Sequence, residues 1–502
     1  MVEVTAGDHT AASAGRQDVS IARIGNERDG ATVARQAAIL IHGMGEQIPM
    51  DTIKGFARTV WELDPEIADP HIDDPNKTWS KPDERTGSLE LRRITTRESI
   101  ASPSFPAGVR TDFYELYWAD LTGGSTWQQF RAWVQYLLLR PWGMVPRRLR
   151  LAWLLLWAAA LLVLALGSLG LVPSDYWTAH MPWWIPQKLL VPAIAALLGT
   201  MHVAATKTFG RVVRYTRADP DNIAARKAVR ERGLALLRAL HSDQLYARVV
   251  LVGHSLGTIL AYDLLSYFWA EQSLARTIAP DSAAFAALVE VEKAAAALDT
   301  EATPLARAVF RQAQTGLGEA LRQASLGCSE KSQRWLITDL VTLGSPLAHA
   351  EVLLAKGKND LQLRKEAREL PSAPPYREKL DPKVLLAAQA TKKLPIANPP
   401  DATRLMSFPS SVQAKTWVLH YAAPFSAVRW TNIWDPAKFV ALGDFISGPL
   451  APVFGEGIED IDLSEVDRQS GRFTHTRYWS ANQSAARLAV LRKALNLLNF
   501  PV

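Results

Sequence analysis

Apolar positions along the chain fall into two alternating kinds of segment. Gln36–Ile41 (QAAILI), Ala247–Val252 (ARVVLV) and Ile337–Leu343 (ITDLVTL) are short, largely apolar runs, the pattern of strands buried on both faces. Ser88–Thr95 (SLELRRIT) and Thr111–Leu121 (TDFYELYWADL) alternate like strands, and Thr416–Tyr421 and Val428–Ile433 are further strand candidates. Between them, Thr52–Leu63, Asp221–Leu240, Leu256–Trp269, the Ala-rich stretch Ala283–Ala324 and Ser484–Leu498 carry apolar residues at helical spacing. Strands alternating with helices predict an α/β fold with a mostly parallel sheet.

Two longer apolar stretches interrupt this alternation. Leu151–Val172 is 22 residues without a charge, enough at about 1.5 Å per residue to span roughly 30 Å of hydrocarbon. A weaker stretch, 183–205, contains Pro186, Lys188, Pro192 and His202 and reads as a second span. Arg140, Arg147, Arg148 and Arg150 precede the pair, and Lys207, Arg211, Arg214 and Arg217 follow it. By the positive-inside rule both flanks are cytoplasmic. The expectation is an integral membrane protein with a transmembrane hairpin over 141–217, inserted into one unit whose parts are 31–140 and 218–502. Gln128–Leu139 reads as an amphipathic helix leading into the hairpin. A helical insertion is expected at about 272–330, a polar one at about 355–410, and a loose tail at 1–30 without the apolar core of a secretory signal.

Composition narrows the chemistry. The chain has 502 residues, 48% of them hydrophobic and 21% charged, which excludes a disordered or fibrous chain. The net charge of +6 is smaller than the positive charge of the two flanks alone, so the remainder is slightly acidic. No basic stripe or zinc finger points to nucleic acid. A single cysteine, Cys328, excludes a disulfide scaffold and a multi-thiolate metal site. No metal or organic cofactor is implied.

The sharpest motif is Gly253-His254-Ser255-Leu256-Gly257, a G-x-S-x-G. By composition it would arise by chance in roughly one chain in ten of this length. Its context raises its weight, because it follows a β-branched strand and opens an apolar helix, the strand–turn–helix setting that exposes a nucleophilic serine. A second Gly-rich turn, His42-Gly43-Met44-Gly45, follows the first apolar strand, and Gly344-Ser345-Pro346 follows a later one. Neither turn completes a dinucleotide or Walker motif.

With these three pieces the chain resembles the α/β-hydrolase family, its serine lipases and esterases in particular. The resemblance covers most of 36–498 outside the insertions. It implies Ser255 as nucleophile, and an oxyanion hole from the backbone of Gly43, Met44 and Leu256, with His42 bracing the turn. It also implies the chain order serine, acid, histidine. Of the later histidines, His349 comes too soon, His420 sits in the apolar run WVLHYAAPF, and His475 lies in a loop before the last helix where the family places its base. The acid is Asp444 or, as the alternative, Asp435; the acidic run Glu456–Asp462 reads as a solvated face. Ser345 reads as structural. The implied activity is cleavage of an acyl ester or lipid substrate by a membrane-anchored serine hydrolase. An acyltransferase of the same fold and an inactive membrane scaffold are the rival readings.

Overall fold

The apolar runs pair into one eight-stranded sheet. In the computed structural model the described residues are 33–43, 48–88, 90–122, 134–146, 149–169, 171–180, 192–196, 199–200, 215, 220–325, 334–379, 381–382, 386, 404–410, 416–437, 443–467 and 474–501. The strands are β1 (Ala34–Ile41), β2 (Thr78–Pro82), β3 (Arg92–Glu98), β4 (Val109–Leu116), β5 (Tyr246–His254), β6 (Ile337–Leu343), β7 (Arg429–Trp434) and β8 (Glu459–Asp462). Their spatial order is β8-β7-β6-β5-β1-β4-β3-β2. The six strands from β8 to β4 are parallel, while β3 and β2 join antiparallel at one edge.

The two-fold periodicity of a strand explains why the central runs are apolar throughout. In β1, Ala37, Ile39 and Ile41 enter one core cluster, and Ala38 and Leu40 enter the cluster on the opposite face. In β5, Val249 and Leu251 face one way and Val250 and Val252 the other. Helices cover both faces, as a parallel sheet requires. Helix α1 (Asp51–Ala57) and the final helix pack on one side, sharing a cluster that includes Phe56, Trp61, Leu491 and Leu495. On the other side lie α3 (Pro220–Ser242), α4 (Leu256–Glu271), α5 (Ala283–Thr300) and α6 (Pro304–Ser325). The final helix, α7 (Ala485–Leu495), starts from Ser484, whose side chain accepts the N–H of Arg487.

Several boundaries differ from those predicted. The helical stretch expected over Ala283–Ala324 is two helices, broken at Glu301–Thr303, where Thr303 Oγ1 caps the second helix by accepting the N–H of Ala306 and Pro304 sits at its first position. Helix α6 is stitched to β7: Arg311 donates to the carbonyl of Trp430, and Gln314 donates to those of Phe425 and Val428. These described helices of the expected helical insertion pack against one face of the sheet. The expected polar insertion contains a helix, Lys358–Glu366, and short strands at Arg404–Leu405 and Ser407–Pro409. Trp417–Leu419 belongs to a small separate three-stranded sheet. The acidic run expected to be a solvated face supplies the edge strand β8, where Asp460 accepts the backbone N–H groups of Leu450 and Ala451.

The inserted transmembrane hairpin is corrected. Among the described residues no helix is long and apolar enough to cross a membrane. Residues of the first stretch form α2 (Arg150–Leu169), a 20-residue helix that begins on a charged side chain and has Gly167 and Ser168 in its last turn. The helix ends at Leu169, short of the predicted end at Val172. A short separate helix, Ser174–His180, follows. In the second stretch helix is described only at 192–196 and 199–200; of the helix expected over Gln128–Leu139, residues 134–138 are helical and 128–133 lie outside the described residues.

Candidate active site

The parallel strands all deliver their C-terminal ends to one edge of the sheet, and the candidate residues assemble there. Ser255 directly follows β5 and precedes α4. Its backbone takes φ 52° and ψ −128°, a strained region for a residue with a side chain. The turn is held on both sides. The N–H of Ser255 donates to the carbonyl of Leu343 at the end of β6 (2.9 Å), and Thr258 Oγ1 donates to the carbonyl of Ser255 (2.7 Å). Glycine is required at its flanks, because a Cβ on Gly257 would stand 2.2 Å from the carbonyl oxygen of Ile41, and one on Gly253 would stand 2.6 Å from Thr258 Cα.

His475 and Asp444 complete a line with Ser255. His475 Nε2 lies 2.8 Å from Ser255 Oγ, and His475 Nδ1 lies 2.9 Å from Asp444 Oδ2. A carboxylate can only accept, so His475 Nδ1 carries a hydrogen, and in the neutral ring Nε2 is then free to accept the serine proton. All three side chains are buried. The carboxylate is fully solvated by protein donors. Oδ2 also accepts the Tyr478 hydroxyl (2.7 Å), and Oδ1 accepts the N–H groups of Ile446 (3.0 Å) and Ser447 (3.2 Å). Burial alone would raise the Asp444 pKa, but these donors, His475 foremost, outweigh it and hold the carboxyl below its usual range.

The alternative acid has another partner. Asp435 Oδ2 is bonded at 2.9 Å to Nη1 of Arg487, which is itself buried, so its charge is neutralised away from the histidine. Its backbone carbonyl instead accepts the N–H of Asp444 and so helps place that residue. His420 lies in the core, with Nε2 2.9 Å from the carbonyl of Tyr376 and Nδ1 accepting the N–H of Ala422, and burial pushes its pKa down to about 4. His349 lies in the buried turn after β6, and Ser345 Oγ bonds to Thr258 Oγ1 at 2.8 Å behind the elbow. Cys328 lies outside the described residues.

The first Gly-rich turn lies against the serine. A Cβ on Gly43 would stand 2.7 Å from Ser255 Cβ and 3.3 Å from Ser255 Oγ, so only glycine lets this backbone approach. His42 stacks on Trp118 (5.5 Å, 6° between planes), with Nδ1 2.8 Å from the carbonyl of Gly43 and Nε2 facing the N–H of Trp118. Leu256 opens α4, and its N–H belongs to the first turn, which has no intrahelical acceptor. Met44, the third expected oxyanion donor, lies outside the described residues.

Two residues that the sequence pattern does not single out, Tyr478 and Gly443, also shape the site, as does Gly344 of the Gly-Ser-Pro turn. Tyr478 is three positions beyond His475 in a buried loop, a spacing that could have drawn notice. Gly344 has φ 61°, and a Cβ there would stand 3.0 Å from Asp444 Oδ2 and 3.2 Å from His475 Nδ1, so its missing side chain makes room for the acid–base pair. Gly443 has φ 88°, and a Cβ there would meet the carbonyl oxygen of Pro436 at 2.3 Å. Among the described residues no group of three or more His, Cys, Asp or Glu could hold a metal ion. Comparison with protein-family models, with curated proteins and with solved structures finds no match to this chain.

Proposed function

We propose that the chain is a serine hydrolase that cleaves carboxylic esters through an acyl-enzyme, in keeping with its resemblance to serine lipases and esterases. The observation that carries this reading is the unbroken hydrogen-bonded line from Ser255 Oγ through His475 to Asp444, starting from a serine held at positive φ. An ordinary serine is a poor nucleophile, and this arrangement supplies the adjacent base and the group that orients it. In the proposed reaction Ser255 Oγ attacks the acyl carbonyl while His475 Nε2 takes its proton. The N–H of Leu256 and the backbone of the Gly43 turn face the developing oxyanion. His475 returns the proton to the departing alcohol, and the same base then activates water to release the acid. Asp444 keeps its charge throughout and stabilises the imidazolium.

An apolar acyl chain is the substrate class we propose. The resemblance to lipases supports it; apart from the site, α2 exposes Leu154, Leu155, Leu161, Leu162 and Leu164, apolar surface of the kind that meets an apolar partner. The test is hydrolysis of p-nitrophenyl esters of increasing chain length, together with labelling by a fluorophosphonate, in the full chain and in Ser255→Ala. Hydrolysis and labelling that both vanish in Ser255→Ala support the reading. A folded wild-type chain that neither labels nor hydrolyses any of the esters overturns it.

A further inference from the structure

His254 and Ser255 are adjacent in the elbow, and both bond to His475. Ser255 Oγ meets the imidazole at Nε2, and His254 Nε2 lies 2.6 Å from the backbone carbonyl oxygen of the same histidine. A carbonyl only accepts, so His254 Nε2 must carry the hydrogen. His254 is buried and packs edge-on against Trp479 (4.8 Å, 84°), in the loop that carries His475. Burial foremost, with the nearby His475 adding to it, pushes its pKa down to about 3, so the ring is neutral and its N–H donor persists across the working range of an esterase. A protonated His254 would also oppose the charge that the base acquires in the reaction, since the two rings are 5.3 Å apart.

We infer that His254 is a positioning residue, which fixes the backbone of His475 to the nucleophile elbow and thereby sets the base against Ser255 Oγ. Other bonds of the base loop run elsewhere. Thr474 donates to the carbonyl of Gly443, Tyr478 donates to Asp444, and the carbonyl of Trp479 accepts from Thr59 Oγ1. Those bonds tie the loop to the acid and to the segment that follows α1. The His254 bond ties it to the turn that presents the nucleophile, across 221 positions of sequence. Two adjacent residues thus hold one histidine by its side chain and by its backbone.

The inference rests on the reading of Ser255 and His475 as nucleophile and base. Its test compares His254→Phe, which keeps a ring against Trp479 but removes the donor, with His254→Gln, which keeps an N–H donor. The readouts are kcat and KM on a p-nitrophenyl ester, the rate of fluorophosphonate labelling, and circular dichroism to establish folding. In His254→Phe, kcat and the labelling rate fall by about 10- to 100-fold with KM within about twofold, the size of loss expected when a base is misplaced by an ångström. His254→Gln recovers most of that loss. Wild-type rates in a folded His254→Phe overturn the inference. Equal losses in both variants also overturn it, because they would show that an N–H donor at this position does not restore the placement of the base. If wild type itself does not label at Ser255, the reading of the site fails first, and that outcome is distinct from an active wild type with an indifferent His254→Phe.

Discussion

Asp444 and Asp339 are buried carboxylates at opposite ends of the parallel strands, and their partners differ in kind. Asp339, near the start of β6, is gripped by two guanidinium groups: Arg429 bonds both of its oxygens (2.8 and 2.9 Å) and Arg248 bonds Oδ2 (2.5 Å). Asp444 has an imidazole, a phenol and two backbone N–H groups. Both carboxyls are held below their usual range against the cost of burial. Permanent cations make the first a fixed pin between β5, β6 and β7. Neutral donors leave the second a charge that can be shared with a group that gains and loses a proton. The cavity at the Asp339 end is lined by Arg311, Arg429 and Glu459 and by no residue of the Ser255–His475–Asp444 line. What separates a structural carboxylate from a reactive one here is the titratability of its neighbours, since both are buried.

The sharpest way to break this comparison is to neutralise each carboxylate in turn. Asp444→Asn is expected to lower kcat by about 10³- to 10⁴-fold, because the imidazole loses the acceptor that fixes its tautomer. Asp435→Asn, as control, should keep kcat within about tenfold; a larger loss would move the acid to Asp435. Asp339→Asn should do the reverse, costing about 3–5 kcal/mol in urea unfolding by leaving two buried guanidinium groups without a counter-charge, with kcat of the folded fraction little changed. If Asp339→Asn instead abolished activity at full stability, the two ends would not be separate. Tyr478→Phe tests the neutral donors: kcat should fall by several-fold to about tenfold, because the carboxylate that orients His475 loses the phenol donor.

The smallest effect sharpens the contrast through pH. The lowered carboxyls contribute stability that is present above about pH 4 and is lost as pH falls toward their folded values. Three buried histidines act earlier. Burial holds His241 and His254 at about 3 and His420 at about 4, so the unfolded chain takes up protons first, below about pH 6.5. Stability should therefore decline from about pH 6.5 downward, by about 1.4 kcal/mol per pH unit for each histidine. Urea unfolding of His241→Gln between pH 6 and 5 should show about a third of that slope removed, and an unchanged slope would count against the neutral core histidines.

Much of this arrangement is legible in the sequence, for identifiable reasons. Ile337–Leu343 forms a strand over the predicted span because both of its faces are buried and the Gly-Ser-Pro turn ends it sharply. Ser255, His475 and Asp444 are marked by a motif, a loop and an order along the chain, which are local signals. Edge strands leave weaker traces. Thr78–Pro82 is mostly exposed and ends in proline, and β8 is built of acidic residues, so neither shows apolar periodicity. The sequence favours Asp444 over Asp435 only through a resemblance; the physical reason lies in Arg487, 52 positions beyond Asp435, which pairs with it. Tyr478 and Gly344 matter only through contacts that form when distant loops meet. The first long apolar stretch misleads in the other direction, because hydropathy counts residues and takes no account of where the helix, Arg150–Leu169, begins and ends.

The position of β1 has a consequence for how the protein is made. It lies at the centre of the sheet, between β4 and β5, yet β5 begins only at Tyr246. At about 5–20 residues per second, a ribosome needs roughly 10–40 s to travel from Ile41 to Tyr246. For that interval one of the most apolar strands of the nascent chain has at least one open flank, both of them until β4 is made, with Gly43 waiting for a serine not yet translated. A chain stalled in this window would expose a sticky edge and an unfinished site.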